Sequence, residues 1–205
     1  RQTLSSVIGI LFQSSSSHQY ILDNIIGNGT SEALRNSNTT SATCVVGIMN
    51  LNSGITLVNG NKINGLINNG LSTSVTVSSS ITGLFHQGAA GSVLDRNEIR
   101  NLSSTGTAST QIQGIYINSG STDILNNIIS GLSTASTSVG TGNSASILGI
   151  SFNTGLPATI RNNTIENLYA TDCFVQGYIA QARCRPNRAH NGISFRILQF
   201  LSIIP

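Results

Sequence analysis

The sequence predicts an all-β solenoid, a chain of short strands wound into stacked coils, and three observations carry that prediction. Ser, Thr, Asn and Gly number 30, 20, 23 and 21 among 205 residues, and all four are poor helix formers and ready turn formers. Ile, with 26 copies, can fill a core, and the formal net charge is only +3, which argues against a disordered chain. The third observation is an internal repeat, which sets the order of elements.

Each repeat opens on a Gly followed by Ile or Leu, at Gly9, Gly47, Gly83, Gly114 and Gly149, with an aliphatic residue two positions earlier. The intervals between these glycines are 38, 36, 31 and 35 residues. This short aliphatic alternation reads as a strand. A second strand ends on the aliphatic residue three before an Asn: Ile21, Val58, Leu94, Ile124 and Ile160. The Asn itself is the constant member, at Asn24, Asn61, Asn97, Asn127 and Asn163, always with Ile two places on. That Ile begins a third strand, which reaches Leu66, Leu102, Leu132 and Leu168 five places after the Asn in four of the five units. Three short strands per repeat, each returning to the same place, describe one coil of a parallel β-helix.

Asn at a sharp corner tolerates a left-handed backbone. Stacked at the ~4.8 Å spacing of paired strands, the five Asn amides are expected to form a buried ladder from coil to coil. The Ser- and Thr-rich segments between the Leu of one unit and the Gly of the next vary in length, so they read as excursions on one side of the solenoid, where a binding surface is most expected. After residue 172 the pattern degrades. Val175 to Tyr178 resembles the Gly strand, and Asn191 with Ile193 keeps the 14-residue offset. The expected organisation is therefore residues 1–172 as regular coils with the Asn ladder, about five of them, and 173–205 as a partial sixth coil or an irregular cap. The chain begins at Arg1 and its first coil has nothing to stack on, so it reads as part of a longer chain.

These units resemble the right-handed parallel β-helix proteins, the pectin-lyase-like superfamily in the broad sense. Their Ser/Thr/Asn-rich composition is more narrowly similar to large secreted or cell-surface repeat proteins of the Bacteroidetes type. The resemblance implies a right-handed solenoid and an extracellular or cell-surface location. The superfamily contains polysaccharide lyases, hydrolases, tailspikes, adhesins and structural stalks, so fold alone selects none of them.

A catalytic site on such a coil needs carboxylates converging from adjacent layers, or calcium ligands beside a base. The candidates are Asp95, Glu98 and Asp123, among Arg96 and Arg100. Asp95 lies two before its Asn and Asp123 four before, which places them in different columns, and exposed ion pairs account for the rest. No cofactor is expected, calcium being the one candidate beside such carboxylates, and His18 and His190 have no His or carboxylate at metal-ligand spacing. His86 shares a column with Phe12, Asn50, Ile117 and Phe152, which makes it a core or rim side chain. Cys44 is too many coils from Cys173 to bridge, whereas Cys173 and Cys184 remain a candidate disulfide.

The excess positive charge sits wholly in Arg183, Arg185, Arg188 and Arg196; residues 1–172 carry six basic and seven acidic groups, so no basic groove for nucleic acid is expected along the body. No membrane span is expected either. The favoured function is a non-catalytic surface spacer or adhesin in contact with polysaccharide or another surface protein. A polysaccharide lyase or glycoside hydrolase is the alternative, and an ice-binding protein the minor one.

Overall fold

The structure is a computed structural model, and it describes residues 7–14, 18–28, 33–37, 39, 43–70, 80–106, 110–136, 146–153 and 159–170, with the backbone of three further strands at 175–177, 180–182 and 193–196. Among these residues there is no helix. The first layer holds β1 (Val7–Phe12), β2 (His18–Leu22), β3 (Ile25–Ile26) and β4 (Leu34–Asn36); the second β5 (Val45–Asn50), β6 (Ile55–Asn59) and β7 (Lys62–Asn68). Next come β8 (Ile81–Gln87), β9 (Ser92–Asp95) and β10 (Glu98–Ser104), then β11 (Ile112–Ser119), β12 (Thr122–Leu125) and β13 (Ile128–Thr134). The last full set is β14 (Ile147–Phe152), β15 (Ile160–Arg161) and β16 (Thr164–Ala170).

Like strands stack on like strands, giving three parallel sheets that run along one axis: β1-β5-β8-β11-β14, β2-β6-β9-β12-β15 and β3-β7-β10-β13-β16. The register follows the repeat, with Ile63, Ile99, Ile129 and Ile165 in one column and Leu66, Leu102, Leu132 and Leu168 in another. These side chains, the column Val58, Leu94, Ile124 and Ile160 of the second sheet and the column Val45, Ile81, Ile112 and Ile147 of the first fill the interior from three sides. The architecture is thus an all-β parallel solenoid.

The repeat's Gly has a steric cause. A Cβ on Gly83 would lie 2.6 Å from the Gly114 carbonyl oxygen and 2.6 Å from Ile99 Cγ2, and the same pair of contacts recurs at Gly9, Gly47 and Gly114. Each Gly leaves the room that the Ile of the opposite sheet occupies, so Gly and Asn-x-Ile are two halves of one packing unit.

The corner geometry differs from the sequence expectation by one residue. The left-handed backbone belongs to the residue before each ladder Asn: Asp23 (φ 53°), Gly60 (68°), Arg96 (52°), Asn126 (55°) and Asn162 (58°). The ladder Asn is released from the turn and points inward. A second left-handed column lies within the third strand, at Gly65, Asn101, Gly131 and Asn167. An ordinary strand sends residues three apart to opposite faces. The left-handed residue bends the strand, so that Ile99 and Leu102 are both fully buried.

Beyond the regular layers, β17 (Val175–Gly177) continues the first sheet in parallel on β14, and β18 (Ala180–Ala182) then turns back antiparallel on β17. Strand β19 (Ile193–Arg196) lies antiparallel on β16, where a coil continuing the repeat would run parallel. Cys173, Cys184, Arg183, Arg185, Arg188, His190 and Asn191 lie outside the described residues.

Candidate functional surface

The ladder asparagines are joined by repeated, directional bonds. The backbone N–H and Nδ2 of Asn24 both donate to Asn61 Oδ1, at 3.0 and 2.8 Å; Asn61 does the same to Asn97 at 3.1 and 2.9 Å. Asn97 donates to Asn127 Oδ1 at 2.9 Å from both nitrogens, and Asn127 to Asn163 at 2.8 and 3.0 Å. Each Nδ2 also reaches back one layer, from Asn61 to the Ile21 carbonyl (2.8 Å), Asn97 to Val58 (2.9 Å), Asn127 to Leu94 (2.9 Å) and Asn163 to Ile124 (2.7 Å). Asn61, Asn97, Asn127 and Asn163 are buried, so this column is a structural spine closed to ligands.

A second polar column runs through the other end of the third strands: Asn36, Asn68, Ser104 and Thr134. Asn36 Nδ2 donates to Asn68 Oδ1 at 2.9 Å, and Asn68 Nδ2 donates to the Thr43 and Ser80 carbonyls at 2.9 Å each. Position seven after the ladder Asn was the signal for it, since every occupant from Asn68 to Thr134 is short and polar.

Asp95 sits on the outward face of the second sheet with both oxygens engaged. Oδ1 accepts from Asn126 Nδ2 in the next layer (2.7 Å), and Oδ2 accepts from Asn59 Nδ2 in the previous one (3.0 Å) and pairs with Arg96 Nε at 2.9 Å. Asp123 aligns with Val93, two positions from Asp95 in register, and its Oδ1 accepts the Thr159 N–H at 3.1 Å. Glu98 pairs with Arg100 beside it, and Arg100 Nη1 donates to Ser130 Oγ at 3.0 Å. The structure therefore places the three candidate carboxylates separately and joins each to a neighbour. Among the described residues no three His, Cys, Asp or Glu side chains converge to hold a metal ion.

His86 is fully buried at the corner between the first and second sheets. Its Nδ1 lies 3.0 Å from Asn50 Nδ2, so Nδ1 accepts and the proton sits on Nε2. Burial lowers its pKa from 6.5 to about 4, which keeps the ring neutral. Nε2 is boxed in by Gly88, where even a Cβ would lie 2.4 Å away, so the ring is a core component.

The outward polar groups open to solvent form axial ladders of their own. Asn118 Nδ2 donates to Gln87 Oε1 (3.2 Å) and Asn153 Nδ2 to Asn118 Oδ1 (3.3 Å), with the Tyr116 hydroxyl on the same oxygen at 3.3 Å. Tyr116 packs edge-on to Phe85 with ring centroids 5.4 Å apart, and its partial burial raises the pKa of its hydroxyl, which stays protonated. Asn101 donates to Asn64 at 2.8 Å and Thr105 to Asn69 at 3.0 Å in the same axial sense. Among the described residues no outward column repeats Thr from layer to layer. Among the described residues no helix is long and apolar enough to cross a membrane. The chain matches no protein-family model, no curated protein and no solved structure.

Proposed function

We propose that this chain is a non-catalytic module of an extracellular or cell-surface protein, a stiff spacer or adhesin whose outward amide columns contact glycans. One observation carries the reading: the ladder asparagines inside and several amides outside are bonded from each layer to the next. Such bonding stiffens the stack, and it leaves both Asp95 carboxylate oxygens engaged by Asn59, Asn126 and Arg96. The contact face we favour is Gln87, Asn118 and Asn153 with Tyr116, because amides at a regular rise beside an aromatic ring suit the hydroxyls and apolar faces of a polysaccharide. The right-handed sense and the pectin-lyase-like kinship belong to the same proposal and rest on the repeat pattern alone.

A glycan array run beside reducing-sugar and unsaturated-uronide assays tests the reading. Binding without turnover, lost in Asn118→Ala, is the expected result. Turnover that disappears in Asp95→Ala or Asp123→Ala would replace it with a polysaccharide lyase or hydrolase.

A further inference from the structure

Charge in this chain is partitioned by sheet. The runs 7–22, 43–61, 80–94, 110–122 and 146–160 contain no Asp, Glu, Lys or Arg; each holds one strand of the first sheet, from β1 to β14, and reaches the second-sheet strand that follows. The charged residues come after them: Asp95, Asp123 and Arg161 on the second sheet, and Lys62, Glu98 and Glu166 on the third. Of the two His within these runs, His86 is buried and His18 lies two layers from Gln87. Among the described residues, therefore, the first sheet and the corner after it form a face without fixed charge in every layer. Gln87, Asn118 and Asn153 lie on that face.

The amide row at this corner has a local cause. Ile117 pairs with His86 and Ser119 with Gln87, so Asn118 is the extra residue of a β-bulge, turned out of the ladder. Its carboxamide joins Gln87 in the third layer to Asn153 in the fifth, and among the described residues Gln87 Nε2 and Asn153 Oδ1 make no other bond. An amide offers a donor and an acceptor, and so does a sugar hydroxyl, so the two pair without charge. A carboxylate or sulfate brought to the same corner would lose water and find no cation to pair with. The rise is selective as well: one amide per ~4.8 Å layer is close to the advance of one ring in an extended, β-1,4-linked pyranose chain. Tyr116, packed edge-on to Phe85, sets an aromatic ring beside the row for an apolar sugar face.

Given the glycan-contacting function proposed above, we infer that the ligand of the Gln87, Asn118 and Asn153 row is a neutral, β-1,4-linked polysaccharide lying along the solenoid axis, one sugar ring to a layer. Uronates and sulfated glycans are excluded from this face by the absence of any cation on it. The charged sheets on the other sides keep the solenoid soluble without entering the contact.

Calorimetric titration of the full chain with β-1,4-linked hexamers of mannose, glucose and N-acetylglucosamine decides this, with the β-1,4-linked mannuronate hexamer as the charged match to the first. At least one neutral hexamer should bind, with an affinity constant within about twofold from roughly 50 to 500 mM NaCl, because uncharged partners are not screened. The mannuronate should bind at least about tenfold more weakly. Asn118→Ala should weaken the neutral ligand about tenfold while circular dichroism and the urea midpoint stay unchanged; Asn153→Ala, at an exposed side chain, serves if the first impairs folding. Tighter binding of the mannuronate, falling with salt, would overturn the inference and leave the glycan-contacting function standing. So would coiled, α-1,4-linked maltohexaose bound as tightly as the β-1,4 hexamers, or neutral binding indifferent to both variants. No binding to any glycan, charged or neutral, would overturn the proposed function itself and the inference with it.

Discussion

Asn97→Leu is the most informative perturbation of the ladder, because Asn97 sits mid-stack and bonds in both directions. Leu keeps the branching and the heavy-atom count of the Asn side chain, so the change removes polar bonding from a side chain of similar shape. It strands the Asn61 N–H, which donates to Asn97 Oδ1, and the Val58 carbonyl, which accepts from Asn97 Nδ2; it also takes one bond each from Asn61 Nδ2, which keeps the Ile21 and Asn59 carbonyls, and from Asn127 Oδ1, which keeps the backbone N–H of residue 97. An unsatisfied buried group costs about 1–3 kcal/mol. With two groups stranded and two others short of one bond, the loss should reach about 3 kcal/mol, a large share of a typical 5–15 kcal/mol stability. Asn24→Leu is the control. It removes one donor to Asn61 Oδ1, which keeps the Asn24 backbone N–H, so it should lose only about 1 kcal/mol. Urea unfolding followed by circular dichroism gives both values, with the slope checked for constancy. An Asn97→Leu protein as stable as Asn24→Leu would refute the claim that the inner amides hold the layers together.

Two further predictions concern the core. His86 has a folded pKa near 4 against 6.5 when unfolded, so it leaves stability untouched above pH 6.5 and lowers it as the unfolded state takes up a proton below that value. The loss should grow by about 1.4 kcal/mol per pH unit and level off near pH 4 at roughly 3 kcal/mol; urea midpoints from pH 7 to 4 should fall more steeply for wild type than for His86→Gln. Gly83→Ala places a methyl against the Gly114 carbonyl and Ile99 Cγ2 and should destabilise by about 1–3 kcal/mol, although Ala is ordinarily the better strand residue; an Ala variant of equal or higher melting temperature would remove the steric account of the repeat's Gly.

Much of this was legible in the sequence because a solenoid repeats its constraints. The Gly strand, the Asn-x-Ile corner and the Leu five places on each recur often enough to be read against a background rich in Asn and Gly. The parallel stacking and the different columns of Asp95 and Asp123 followed from register alone. What escaped reading lay in the third dimension. The need for Gly comes from Ile26, Ile63, Ile99, Ile129 and Ile165, which approach from another sheet. The left-handed residues at Asp23, Gly60, Arg96, Asn126 and Asn162 span four residue types, so the constant Asn drew the assignment one place too far. A signal for the second bend was present: inward Ile and Leu three apart, with Gly or Asn at 65, 101, 131 and 167 between them, is incompatible with a straight strand. The buried Asn50–His86 contact also lay beyond reach, since a column that otherwise holds Phe12, Ile117 and Phe152 advertises an apolar site.

The axial stacking of the layers is tested most directly by spin-label distances. Ile25, Lys62, Glu98, Ile128 and Thr164 form one column across consecutive layers. With the three cysteines replaced by Ser, one label at residue 25 and a second at 98, 128 or 164, and unlabelled protein added for dilution, the separations should rise linearly by about 4.8 Å per layer. That places residues 25 and 164 about 19 Å apart despite the 139 positions between them in sequence. A separation that does not grow in equal steps, or one beyond about 30 Å for the last pair, as in an expanded chain, would contradict the stacked solenoid.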